Sequence, residues 1–219
     1  MSRLYGNQHR ALQVEFGTTQ LADRVEDIAC KTEFDADAKG FIEHMDMFFL
    51  SSVDHQGRPT VSYKGGDAGF VKVVDANTLM FPSYDGNGMF FSIGNISTNP
   101  QVGLLFISFE KPHRIRVQGT AKLSREPALL SHYKEAEFVV LVTLSELWQN
   151  CPRYIHQMEK VRESRYVPRQ ACETPVAEWK RIDLMQDVIL EKDKEKVEAI
   201  GTIDIDSWVE KIKAGHPEA

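Results

Sequence analysis

The chain has 219 residues, 42% hydrophobic and 26% charged, with a formal net charge of −6. That length buries a substantial core, and the composition is that of an ordinary globular protein. The acidic balance argues against a generic nucleic-acid or anionic-membrane binder. No run approaches the ~18 apolar residues that cross a bilayer. Residues 1–10 are polar and lack a signal-peptide core, and Cys30, Cys151 and Cys172 are too far apart for a CxxC pair. Reduced thiols in a cytoplasmic protein are the expectation.

In chain order, residues 1–34 read as a polar lead-in. Ala38, Phe41, Ile42 and Met45 then recur at i, i+3, i+4, i+7, with Asp35 placed as an N-cap, which predicts a helix over roughly 35–46. From 47 onward the texture changes to short β-rich runs divided by turn residues. Strands are predicted at 47–53, 60–64, 70–74, 78–82, 102–109, 113–123 and 138–147. The turn Asp54-His55-Gln56-Gly57 makes a hairpin of the first two, and 89–97 reads as a short helix before Asn99-Pro100. Sequential hairpins with one internal helix predict a mainly β, antiparallel barrel with peripheral helices, not a doubly wound parallel sheet. Beyond Cys151-Pro152 the chain turns helical and charged. Ile182, Met185, Val188 and Ile189 suit one amphipathic helix continuing through 191–196, and Ile205, Trp208, Val209 and Ile212 suit a second. The expected organisation is a lead-in at 1–34, a barrel at 35–160 and a helical extension at 161–219.

Three places draw attention chemically. Arg114, Arg116 and Gln118 alternate onto one strand face, opposite Ile115 and Val117. Either that face is solvated, or the arginine forks hold an anion, a reading that includes a site across a subunit contact. Ser62 and Lys64 share a face, and Gly65-Gly66 follow to let backbone and ligand approach. The loop Tyr84-Asp85-Gly86-Asn87-Gly88 is either a plain turn or, preceding a helix, a set of amides for phosphate. It matches neither the dinucleotide fingerprint nor a P-loop. Seven scattered histidines show no metal-ligand spacing, so no metal is expected. The sequon Asn95-Ile96-Ser97 is read as chance.

In order, the segments Phe48-Phe49-Leu50-Ser51-Ser52, Gly57-Arg58-Pro59, Val61-Ser62-Tyr63-Lys64-Gly65-Gly66-Asp67 and Phe81-Pro82-Ser83-Tyr84-Asp85-Gly86-Asn87-Gly88 resemble the pyridoxamine 5′-phosphate oxidase family. Ile93-Gly94-Asn95-Ile96, Asn99-Pro100, Val102-Gly103-Leu104-Leu105-Phe106 and Arg114-Ile115-Arg116-Val117-Gln118-Gly119 keep its order, and Asn150-Cys151-Pro152-Arg153-Tyr154-Ile155-His156 resembles its bacterial branch. The resemblance covers about 35–160. It implies a six- to seven-stranded split barrel working as a homodimer with FMN at the subunit interface. By position it implies that Lys64 faces the cofactor and substrate phosphate, that Pro82 and Ser83 run along the isoalloxazine ring, and that Asn87 and Gly88 hold the FMN phosphate. It puts Arg114, Arg116 and Gln118 on a strand near the dimer interface and adds Arg153 as a further cofactor contact. The family's phosphate loop carries an adjacent Arg-Lys pair; here Gly86-Asn87-Gly88-Met89 stands instead. The closing substrate-binding strand is also not recognisable. The implied function is an FMN-dependent oxidoreductase moving a hydride between flavin and a small substrate, with catalytic residues unassigned. The alternatives are a non-catalytic flavin-binding or stress-response module, or the same barrel holding a deazaflavin or haem.

Overall fold

The computed structural model describes residues 2–218, which divide into one compact unit ending at Glu159 and a second beginning at Lys160. The first unit opens with helices α1 (Asn7–Glu15) and α2 (Thr19–Ala29) and a two-residue strand, β1 (Cys30–Lys31). Helix α3 (Ala36–His44) follows, then β2 (Met47–Val53), β3 (Pro59–Gly65), β4 (Lys72–Val73) and β5 (Thr78–Tyr84). Helix α4 (Phe91–Thr98) precedes β6 (Gln101–Ser108) and β7 (His113–Ser124), and the short α5 (Pro127–Leu130) leads into β8 (Ala136–Asn150).

All strand pairs in the sheet are antiparallel, in the order β3-β2-β6-β7-β8-β5-β4, with β1 added beside β8. The sheet curls around one core but leaves β3 and β4 as open edges, so it is a split barrel. Each predicted strand is present; the eighth is β1, a two-residue pairing too short for periodicity to reveal. The lead-in is therefore helical and hydrogen-bonded to the sheet. In α2, Leu21, Val25 and Ile28 recur at i, i+4, i+7 and remain exposed.

Alternation in β2 buries Phe48, Leu50 and Ser52 while Phe49 and Ser51 face the other way. Phe48 sits 5.0 Å from the Phe81 ring and 5.1 Å from Phe106, all three fully buried. Such aromatic burial contributes about 1.5–3 kcal/mol per ring. Helix α3 closes one end of this core. Asp35 caps it by accepting from the Ala38 amide at 2.9 Å, and Ala38 and Ile42 turn inward. A register shift between Gln118 and Gly119 brings β7 so close to β8 that a Cβ at Gly119 would strike the Thr143 carbonyl and Val142. Only glycine fits there.

In the second unit, residues 182–189 do not form the predicted helix. Turns of 3-10 helix occupy Glu178–Arg181 and Asp183–Met185, and α6 (Glu191–Ile200) and α7 (Ile205–Lys213) follow. Ile182 is extended, bridging Ile203 in parallel. The i, i+3 spacing of Ile182 and Met185 suits a 3-10 turn as well as an α-helix. Glu178 accepts from Arg181 and Lys211, both at 2.8 Å, and Lys180 pairs with Asp193 at 2.8 Å inside the unit. No described helix is long and apolar enough to cross a membrane.

Candidate functional site

Strand β3 is inverted relative to an ordinary edge strand. Its apolar residues Val61 and Tyr63 point outward, 70% and 62% exposed. Thr60, Ser62 and Lys64 take the other face, where Lys64 stands opposite the fully buried Phe48. Helix α4 lies against this polar face. The Ser62 and Ser92 hydroxyls are 3.0 Å apart, and Asn95 donates from Nδ2 to the Ser52 hydroxyl at 3.1 Å. Ser52 in turn lies 3.1 Å from the Thr60 hydroxyl. Asn95 is thus committed to the interior, which closes the sequon to glycan attachment.

Lys64 donates from Nζ to the Ser92 hydroxyl at 3.5 Å, and among the described residues no carboxylate pairs with it. Burial pushes the pKa of this ammonium below its ordinary 10.5. The N-terminus of α4 starts one residue before Ser92, and its cap residue, Phe90, supplies no side-chain acceptor to the first amides. A half-buried cation, two hydroxyls and uncapped helix amides therefore converge, which is the donor set a phosphate requires. The residues present fit the phosphate end of FMN without an Arg-Lys pair.

The end of β5 borders the same place. Pro82 is buried and Ser83 half-buried, and Tyr84 follows them. Burial pushes the Tyr84 phenol up to about 12, and the Asp67 carboxylate, three residues beyond Lys64, adds to the shift. Across the ladder Ser83 faces Phe138. The Arg125 guanidinium lies 4.2 Å from the Phe138 ring centroid, and Phe90 meets the same ring edge-on at 6.4 Å. Asn87 and Gly88 form an exposed loop between Ser83 and Ser92, and Phe90 is held at φ 47°. A left-handed conformation is costly for a bulky residue and marks a constrained corner.

The Phe90–Phe138 contact brings the α4 cap to the β5–β8 ladder beside Ser83, and Asn87 and Gly88 lie on the loop that joins β5 to α4. The remaining sequence candidates lie elsewhere on the chain. Arg116 and Gln118 are exposed on the outer sheet face, and β7 is three strands from β3. They share no site with Lys64 inside one chain. Arg114 pairs in register with Asn150, its Nε buried without a partner. Arg153 follows β8 and lies 6.0 Å from the Tyr154 ring. The Gly65-Gly66 reading also changes. A Cβ at Gly65 would meet the Tyr63 ring at 2.7 Å, and one at Gly66 would strike Phe70, so the glycines make room for the chain's own aromatics.

Sequence reasoning missed Ser92, Asn95 and Arg125. The inward polar triplet Thr60, Ser62, Lys64 was the available signal for the first two, because a buried polar face calls for polar partners at helical spacing. Nothing local marks Arg125. Among the described residues no three His, Cys, Asp or Glu side chains gather as a metal site.

Among solved structures, the chain is similar to HupZ from Group A Streptococcus, with 16% identity over 57% of this chain and 99% of that one, at a TM-score of 0.45. An FMN-binding protein from Syntrophomonas wolfei aligns at 10% identity over 66% of this chain and 98% of that one, with a TM-score of 0.41. General Stress Protein 26 from Bacillus anthracis aligns at 15% identity over 50% and 88%, again at 0.41. Among curated proteins none matches. The family model described as pyridoxamine 5′-phosphate oxidase does match, over residues 34–148, a span running from the start of the α3 cap almost to the end of β8. With the split barrel and its strand order in place, that match is decisive: the chain belongs to the pyridoxamine 5′-phosphate oxidase family.

Proposed function

We propose that this protein binds FMN and works as an oxidoreductase on a small organic substrate, as a homodimer. The observation that carries the reading is Lys64: a half-buried ammonium, bonded to a serine hydroxyl and lacking a carboxylate, is a costly arrangement until an anion arrives. Lys64, Ser62, Ser92 and the first amides of α4 would hold the phosphate, and Pro82 and Ser83 would line the ring. When bound, the flavin supplies the two-electron redox chemistry, so the protein needs no nucleophile of its own. The chain's contribution is to bind, orient and shield.

Dimerisation is supported by the outer sheet face. Tyr63, Phe49, Leu105, Arg116 and Trp148 follow one another in register across five strands. Exposed Val61 and Tyr63 extend an apolar area that a second copy would cover. In that arrangement Arg116 and Gln118 border a partner's site. The loop Gly86-Asn87-Gly88-Met89 lacks the Arg-Lys pair of the pyridoxamine phosphate enzymes, which argues for a different small substrate.

The direct test is the visible spectrum of the purified protein, followed by FMN titration and mass spectrometry of the released ligand. A flavin spectrum with FMN released supports the reading. A colourless protein that takes up no FMN overturns it, and a deazaflavin or haem mass reassigns the cofactor. Turnover with a nicotinamide donor separates an oxidoreductase from a non-catalytic flavin carrier.

A further inference from the structure

Arg125 follows the last residue of β7 and is exposed. Its guanidinium lies over the Phe138 ring, 4.2 Å from the centroid, and among the described residues no carboxylate pairs with it. Phe90 meets the same ring edge-on at 6.4 Å, itself 50% exposed and held at φ 47°. Phe138 is half-buried, so the ring that both groups touch keeps part of its surface open. Its partner in register on β5 is Ser83, and residues directly opposite in an antiparallel pair project from the same sheet face. Arg125, Phe138 and Phe90 thus make an accessible corner beside the segment proposed to line the flavin ring.

The chemistry of this corner selects its guest. Attraction to the ring fixes where the cation sits and leaves guanidinium N–H groups free to donate. Because the fork is already held in place, little side-chain freedom remains to be lost when an anion binds. Phe90 adds an apolar wall in a conformation that is costly for a bulky residue, and Met89 and Phe91 on either side of it are exposed too. A cationic fork beside open aromatic surface is complementary to an anion carried on a flat apolar body. One guanidinium balances one charge, and its paired N–H groups match the two oxygens of a carboxylate. We propose that this corner selects the substrate, a planar aromatic carboxylate whose head pairs with Arg125 and whose ring packs against Phe90 and Phe138. The proposal rests on the flavin reading, since flavin along Pro82 and Ser83 is what makes a molecule held here a substrate.

The test is calorimetric titration of benzoate into the full-length protein loaded with FMN. Acetate, benzylamine and phenyl phosphate are the comparison probes. Benzoate is expected to bind more tightly than acetate, which lacks the ring, and than benzylamine, which reverses the charge. It should also surpass phenyl phosphate, which carries more charge than one guanidinium balances. Arg125→Gln is expected to weaken benzoate binding about ten- to a hundredfold, as the loss of a charge-assisted hydrogen bond does. Phe90→Ala is expected to weaken it about two- to tenfold. Both side chains are exposed, circular dichroism checks that the fold persists, and either variant carries the test if the other unfolds. The FMN affinity of Arg125→Gln should be unchanged. A parallel loss of FMN assigns Arg125 to the cofactor and overturns the proposal. So does benzoate binding no more tightly than any comparison probe, or benzoate affinity unaltered in a folded variant. A protein that takes up no FMN sinks the flavin reading at the loading step, and the substrate claim with it; normal FMN uptake without benzoate binding sinks the substrate claim alone.

Discussion

Lys64 concentrates the electrostatics of the candidate site in one side chain. A hydrogen bond to a charged group is worth about 1.5–3 kcal/mol, so Lys64→Ala should weaken FMN binding roughly ten- to a hundredfold while leaving the fold intact. Fluorescence titration of FMN reads the first outcome and thermal melting the second. Its titration gives a second test. With its pKa below 10.5 by burial, the free protein loses the Lys64 proton earlier than the unfolded chain does. The unfolded state then holds more protons within that window, so the penalty of burying the ammonium fades and stability rises as pH approaches 10.5. FMN binding needs the charged form. Affinity should therefore fall as pH rises through the lowered pKa, with proton uptake on binding measurable by calorimetry in two buffers. Lys64→Met should abolish both effects.

Two elements carry predictions of their own. The β2–β3 hairpin is held by Asp54, whose Oδ1 accepts from the Arg58 amide at 2.9 Å and the Gln56 amide at 2.8 Å, while Oδ2 accepts from Arg58 Nε at 2.8 Å. The Arg58 backbone amide, helped by its side chain, holds the carboxyl down at about 2, against an ordinary 3.8. Its contribution is complete above 3.8 and is lost as pH falls towards 2. Asp54→Asn should flatten that part of the acid unfolding curve. At the bulge, Gly119→Ala should cost about 1–3 kcal/mol by overpacking against Thr143, read by denaturant unfolding. These elements also show what a linear sequence reveals. Helix α3, the Asp54–Gly57 turn and α7 were legible because cap, period and turn residues agree locally. Residues 182–189 were not, because three-residue spacing does not distinguish a 3-10 turn from an α-helix. Strand β1 escaped because two residues have no period. Of the candidate site, Lys64 and the Pro82–Ser83 segment are singled out by motif order alone. Ser92 and Arg125 are not, since their relation to Lys64 and Phe138 exists only after the chain has folded.

At the scale of the whole molecule, the proposed dimer rests on the outer sheet face. If Val61 and Tyr63 are covered by a second chain, Val61→Asp should shift the protein from dimer to the 24.9 kDa monomer in light scattering. On the proposed dimer FMN affinity should fall with the mass, because there Arg116 and Gln118 would reach the site across the partner. A monomer with undiminished FMN affinity would instead confine the site to one chain.

Strand β8 is the keystone of the barrel, since it pairs with β7, β5 and β1. It is also the last strand of the sheet to leave the ribosome. Until it emerges, β5 and β1 wait without it, and exposed strand edges of that kind attract neighbouring chains. The residues after Asn150 change the timing. If they occupy the exit tunnel while β8 is already outside, the barrel can close before the chain is released. Truncating the chain shortly after Asn150 should therefore lower the yield of soluble protein through a folding defect rather than through any lost contact with flavin.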